Sequence, residues 1–352
     1  LKKTFITLLK IGVSVAILAY LVRDAQQNEA FSNLMGRSKN WVLLGLALVA
    51  CSSAVLLTLV RWHYLVRALG LPFTRKEALR LGFLGYLFNL APMGIVGGDL
   101  LKAVMLAKQQ RNRQPEAVAS VGVDRLIGLY TLFVVASVAI LATGFWDSPH
   151  KAIQVMCKAV VGLTGLGTGI IALILLPGVT HTWLGRLLAR IPYVGPGAWR
   201  LVDAVWMYRR KHVVLIVSAL MSVAVHSLFT VGVFLIAMGL YDPVPSLRMH
   251  FVFSPLSAAT GVLPLPVGPF EYVLDRLYLY APMAGGAMMI AGQGLVVALG
   301  YRLITVLIAA VGICYYLVSR QEVAAVLHDV EEDGGDAQDE PPGEVSTAEK
   351  AA

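Results

Sequence analysis

The chain has 352 residues, of which 57% are hydrophobic and only 14% are Asp, Glu, Lys or Arg, against about a quarter charged in a soluble domain. Its mean hydropathy is +0.72 and its formal net charge is +8. These values exclude a soluble enzyme, and with no recognisable soluble module they exclude a nucleic-acid partner; the apolar runs make one membrane body rather than two soluble domains.

Taken in chain order, Lys2 and Lys3 precede an apolar run from Phe5 to Val22. A signal peptide starts the same way, but this run is long and no small-x-small cleavage pattern follows, so a retained helix is expected. Trp41–Val60 is a clean span, and Leu79–Val96 is apolar but broken. Ala117–Ala142, Ala152–Pro177 and Val213–Leu240 are further spans. Phe251–Leu265 is a second broken stretch, followed by the short pieces Val267–Tyr280 and Ala284–Leu295 and a closing span, Val296–Val318. A straight crossing needs about 20 residues, so the short pieces are re-entrant or interrupted. The fold class expected is an all-α polytopic membrane protein with about six to eight crossings and two re-entrant or broken helical elements.

Basic residues cluster at 61–80, 102–113 and 186–211, while 143–151 and 241–250 are mixed or sparse. Basic short loops face the cytoplasm, which puts both termini inside. The first broken stretch then enters from the cytoplasm and the second from outside, the arrangement an inverted repeat requires. Residues 321–352 carry ten acidic residues and one lysine. That composition cannot build a core, so a disordered acidic cytoplasmic tail is expected after a membrane domain at 1–320. Without the tail, 28 basic residues face 11 acidic ones, a net +17, and such a surface attracts anionic lipid headgroups. Two interfacial amphipathic stretches, Trp183–Arg190 and Trp199–Arg210, lie between spans.

The two breaks share a pattern: proline and glycine inside an apolar region, then a carboxylate. The first runs from Asn89 through Pro92, Gly97 and Gly98 to Asp99; the second holds Pro264, Pro266, Gly268 and Glu271. Lipid tolerates no open backbone, so such breaks need a protein-lined or wet surrounding. Ionisable groups at membrane depth mark pathways or pair with one another. Asp99 and Lys102 are three apart and Glu271 and Asp275 four apart, so each pair shares a helix face. Adjacent Asp124 and Arg125 point apart and take different partners. Arg125 and Arg302 offer planar donor forks for a phosphate. Asp99 and Glu271 either steady the broken helices or leave the helix starts open for an anion. Gly82 with Gly85, and Gly122 with Gly128, permit close helix approach. The seven histidines are scattered, and His226, deep in a span, reads as a satisfied core histidine. The three cysteines read as small buried side chains, and no cofactor or metal site is expected.

Phe83–Ala103, F-L-G-Y-L-F-N-L-A-P-M-G-I-V-G-G-D-L-L-K-A, resembles the transmembrane region of lysylphosphatidylglycerol synthases, as does Arg113–Leu129. The late P-x-P-x-G-x-x-E pattern resembles that family's Pro-Gly-Gly-Leu-Gly-x-x-Glu segment. The likeness covers nearly all of residues 1–320. It departs at Met93–Gly94, where the family often has an arginine close to the glycine, and at Val267 and Pro269 around the single Gly268. The resemblance implies a flippase-like domain moving a phosphate-bearing lipid such as aminoacylated phosphatidylglycerol. It implies no synthase reaction, because a soluble lysyltransferase domain is expected to be missing here and a separately encoded lipid-modifying enzyme would be a partner. Two alternatives remain at this point: an integral-membrane transferase or phosphatase on a lipid-linked substrate, and a non-transporting scaffold that binds anionic lipid.

Overall fold

The computed structural model describes residues 2–28, 30–90, 97–110, 112–175, 203–263, 265, 267–280 and 289–326, and every regular element among them is helical. The helices are α1 (Lys2–Gln27), α2 (Ala30–Met35), α3 (Trp41–Ala68), α4 (Arg75–Leu90), α5 (Gly98–Gln109), α6 (Gln114–Thr143), α7 (Lys151–Leu175), α8 (His212–Leu240), α9 (Leu247–Ala259), α10 (Pro269–Leu279) and α11 (Gln293–Val318). A further helical segment at 320–326 follows α11. Local chemistry sets several ends. Asn40 accepts a hydrogen bond from the Leu43 N–H at the start of α3. Proline opens α6 and α10, where its missing N–H costs nothing. Gly144, at φ +71°, closes α6 in the left-handed region.

By length and composition, five helices among the described residues can cross a membrane: α3, α6, α7 over Lys151–Leu173, α8 and α11. The expected count was six to eight; α1 carries the Phe5–Val22 run as one continuous helix outside that five. Several boundaries shift from the sequence reading. α3 continues past Val60 to Ala68, so Arg61 and Arg67 sit on a helix rather than in a loop, and α4 begins at Arg75 rather than Leu79. The first break (91–96), Pro264, Pro266, Trp183–Arg190, the first residues of Trp199–Arg210 and the acidic tail from 327 onward lie outside the described residues.

Two groups of four helices, α3–α6 and α8–α11, follow the same order: a long span, a helix leading to a break, a short helix after it, and another long span. The leading spans α3 and α8 pack antiparallel along their lengths. Arg61 meets Ser222 near one end. A Cβ added to Gly232 would stand 2.5 Å from Cys51 Sγ, and one on Gly239 would stand 2.9 Å from Leu44. The Asn40 N–H donates to the Gly239 carbonyl at 2.9 Å at the other end. The remaining partners are exchanged reciprocally: α4 packs on α11, and α9 packs on α6. Phe83 stacks with Tyr315 across the first contact and Phe145 meets Phe253 edge-on beside the second.

The described parts of the basic stretches gather at one end of the bundle. Tyr208 donates to the Leu65 carbonyl, Lys211 to that of Ala68, Gln110 to that of Pro72 and Arg113 to that of Leu69. Arg80 pairs with Glu322 at 2.8 Å at the same end.

Glycine permits the tightest contact. A Cβ on Gly98 would collide with the Gly85 carbonyl, and one on Gly85 would lie 2.7 Å from the Lys102 side chain. This holds α4 and α5 together across the first break. Gly82 likewise admits Leu59 of α3. Gly122 has nothing within 4 Å of its Cβ position, so the expected close approach there is not made. Cys51 and Cys157 are buried as expected, but Cys314 is exposed, because α11 turns it away from the bundle.

Gly98→Ala should lower the stability of the detergent-purified protein by about 1–3 kcal/mol, the usual penalty of overpacking, seen as a lower thermal midpoint. Gly122→Ala should leave the midpoint unchanged. Equal midpoints for both variants would show that the α4–α5 contact is not sterically limited.

Candidate functional site

The short helix α5 starts at Gly97 in extended backbone, which puts Asp99 in its first turn, where a carboxylate gains from the exposed N–H groups. Its Oδ1 accepts from Lys102 Nζ at 3.2 Å and from Arg125 of α6. Lys102 is buried, with Nζ 5.0 Å from the centre of the Trp62 ring. The Arg125 side chain is 52% exposed.

The second break repeats this design. Gly268 takes φ +113°, a conformation L side chains rarely adopt, and donates its N–H to Glu271 Oε2 at 2.8 Å. The other oxygen, Oε1, accepts two bonds from Arg302 of α11, at 3.1 Å from Nε and 2.6 Å from Nη2. Glu271 is fully buried, and the Arg302 side chain is 32% exposed. In both halves the carboxylate stands in the first turn of the short helix after the break, and its arginine stands on the spanning helix that follows.

A third pair lies at the α3–α6 contact. Arg61 donates through Nε to Asp124 Oδ1 at 2.8 Å, through Nη2 to the Asp124 carbonyl at 3.2 Å, and through Nη1 to Ser222 of α8. Both charged side chains are buried. Asp124 and Arg125 thus take different partners, as their opposed directions on the helix require. Ser218, Ser222, His226 and Thr230 recur every four residues on α8. His226 bonds the Gly128 carbonyl at 2.9 Å, while Ser218 Oγ and Thr230 Oγ1 are buried without a partner among the described residues. Beyond the second break, Asp275 accepts from the N–H groups of Gly292 and Leu295, both at 3.0 Å, and so caps α11. Arg276 bridges Asp275 to Asp24 of α1, at 3.2 and 2.5 Å.

Of the residues singled out from sequence, Asp99, Lys102 and Arg125 meet, and so do Gly268, Glu271 and Arg302. Asp124 stands apart with Arg61. Asn89 is exposed at the end of α4, with Oδ1 3.7 Å from the Cβ position of Gly97. Pro92, Pro264 and Pro266 lie outside the described residues. Two expectations change. Arg125 and Arg302 are not open forks, because each already holds a carboxylate. The N–H at the start of α10 is taken by Glu271, whereas Asp99 turns to its cations instead of capping α5. Sequence reasoning missed Arg61, which it counted among loop charges, and Asp24 and Ser222; the signal for Arg61 was its place directly after an unbroken apolar run, beside Trp62.

No group of three or more His, Cys, Asp or Glu able to hold a metal ion occurs among the described residues. A guanidinium has five N–H donors, and Arg302 spends two on Glu271, so a phosphate can bind beside the carboxylate or compete with it.

The family model for the lysylphosphatidylglycerol synthase TM region matches residues 7–312. No curated protein and no solved structure matches the chain.

Removing one partner of a buried pair strands the other charge. Asp124→Ala or Arg61→Ala should therefore cost about 3–5 kcal/mol, measured as the shift of the SDS-unfolding midpoint. The double variant Arg61→Met, Asp124→Leu should recover most of that loss. A double variant no better than either single variant would contradict the pairing.

Proposed function

The chain belongs to the lysylphosphatidylglycerol synthase transmembrane-region family, and from that premise we propose that it moves a phosphate-bearing lipid between the leaflets of a bilayer. Membership and the apolar helices make it a multi-pass membrane protein with a lipid-related role. The observation that carries the finer reading is the matched pair of carboxylate–guanidinium contacts, Asp99–Arg125 and Glu271–Arg302, one beside each helix break.

The headgroup of an aminoacylated phosphatidylglycerol bears a phosphate and an ammonium. Each pair presents the complementary charges, so such a head can replace the internal partner at both ends: phosphate on the arginine, ammonium on the carboxylate. Lys102 adds positive charge beside the first pair. The exchange keeps every charge compensated while the head moves and the acyl tails stay in the bilayer. The antiparallel α3 and α8, and the reciprocal packing of α4 on α11 and α9 on α6, support an inverted repeat with the breaks as re-entrant elements from opposite faces. Rocking of one half against the other then exposes the pairs alternately to each side.

The clustering of basic stretches at one end supports a cytoplasmic face there, with both termini inside a bacterial cytoplasmic membrane. Anionic or aminoacylated phospholipid is the partner this reading requires, with a separate lipid-modifying enzyme supplying the aminoacylated form.

Purified full-length protein in sealed liposomes should accelerate the loss of protection of fluorescent phosphatidylglycerol from an impermeant quencher. Arg125→Gln and Arg302→Gln should each slow this roughly tenfold or more, the rate equivalent of losing a charge-assisted bond worth about 1.5–3 kcal/mol. A folded protein that leaves every tested phospholipid in its own leaflet would overturn the reading. Turnover of a lipid-linked substrate in place of movement would point to the transferase or phosphatase alternative.

A further inference from the structure

A cavity of about 590 Å³ opens at the basic end of the bundle, away from both carboxylate pairs. Its walls come from the last turns of α3, the 70–74 connection, the start of α4 and the end of α5, and include His63, Arg67, Phe73, Arg75 and Gln110. None of Asp99, Lys102, Arg125, Glu271 or Arg302 lines it.

The polar groups around the cavity are unequal in sign. Its one carboxylate, Glu77, is engaged: it accepts from the Thr74 N–H at 2.7 Å, while Thr74 Oγ1 accepts from the Glu77 N–H at 3.2 Å, a reciprocal cap on α4. Gln110 is committed to the Pro72 carbonyl at 2.9 Å and His63 to the Phe73 carbonyl at 3.1 Å. The two guanidinium groups are different. Arg67 spends one contact on the Leu71 carbonyl at 3.3 Å, and neither Arg67 nor Arg75 forms an ion pair among the described residues. By contrast Arg61, Arg80, Arg113, Arg125, Arg276 and Arg302 all have carboxylate partners. Two guanidinium charges face one carboxylate around this concavity, and a bound anion balances the excess positive charge.

The position also selects the anion. His63 and Arg67 lie on the final turns of a candidate span, so the cavity sits at the depth of phospholipid headgroups, where basic pockets between membrane helices take phosphate. Its volume falls within the range of small-molecule sites, about 300–1,000 Å³. Its floor connects inward: the Phe73 ring meets Trp62 edge-on at 5.0 Å, and Trp62 carries Lys102 on its face. An aromatic spacer therefore separates this cavity from the Asp99 pair.

We propose that this cavity is a second phosphate-binding site, in which Arg67 and Arg75 clamp a phosphate mono- or diester at the membrane surface independently of any transport. The source of the phosphate is either a phospholipid headgroup or a soluble phosphate, and binding to the full-length protein in phosphatidylcholine nanodiscs separates the two. Titration is done with short-chain phosphatidylglycerol and, separately, with inorganic phosphate. At least one should bind saturably, and Arg67→Gln with Arg75→Gln should weaken it by roughly tenfold or more. Lys76→Gln, an exposed charge on α4 outside the cavity, should leave the affinity as it was. Arg75→Gln alone, which removes an exposed side chain and no bond among the described residues, should weaken binding severalfold and covers the case in which the double variant does not fold. Lipid binding alone assigns a headgroup site, and inorganic phosphate binding assigns a soluble ligand. Failure of both to bind, equal affinity of wild type and variants, or an equal loss with Lys76→Gln would overturn the proposal. Because the readout is binding, its failure is distinct from a failure of lipid movement.

Discussion

Charge placed inside an apolar helix bundle has to be neutralised where it stands, and this requirement organises the protein around its two chain breaks. A carboxylate beside open backbone in the membrane is costly alone. Here each one is tied to an arginine on the next long span, which fixes a short helix against a long one. Glu271 meets two demands at once, capping the Gly268 N–H and holding Arg302. Asp99 leaves its helix start to hold Lys102 and Arg125. The second half is therefore the more fully satisfied of the two, and the first pair is the more exposed to solvent and to competing ions.

Packing carries the same theme through the rest of the chain. Gly232 and Gly239 let α3 and α8 lie antiparallel at short range, and Gly85 with Gly98 lets α4 touch α5. At the α10–α11 contact Gly294 has the matching task, since a Cβ there would stand 2.5 Å from the Asp275 backbone. The buried Arg61–Asp124 pair, with Ser222, joins α3, α6 and α8.

Much of this was legible in the sequence, and the rest was not for definable reasons. Apolar run lengths located α3, α6, α7, α8 and α11, and the Pro/Gly clusters located both breaks. Helical periodicity correctly assigned Asp99 to Lys102 and set Asp124 apart from Arg125. What could not be read was long-range pairing: Arg61 meets Asp124, and Arg302 meets Glu271, across sequence separations that no local pattern encodes. Both arginines expected to meet a phosphate hold carboxylates. Asp275, grouped with Glu271 by its four-residue spacing, instead caps α11, because the chain returns to it after the 281–288 segment. Cys314 and Gly122 show the limit of composition, since neither a small thiol nor a glycine says which helix face meets the bundle.

We propose that the two breaks are equivalent elements serving one pathway from opposite sides. Thiol accessibility tests it most directly. Single cysteines at Asn89→Cys and Gly261→Cys, each in a chain with Cys51, Cys157 and Cys314 replaced, are labelled in proteoliposomes by an impermeant maleimide from either side. The account predicts that position 89 reacts from the face bearing the basic stretches and position 261 from the opposite face, and that added phosphatidylglycerol shifts the two reactivities in opposite senses. Reaction of both positions from the same face, or of neither from any face, would contradict it.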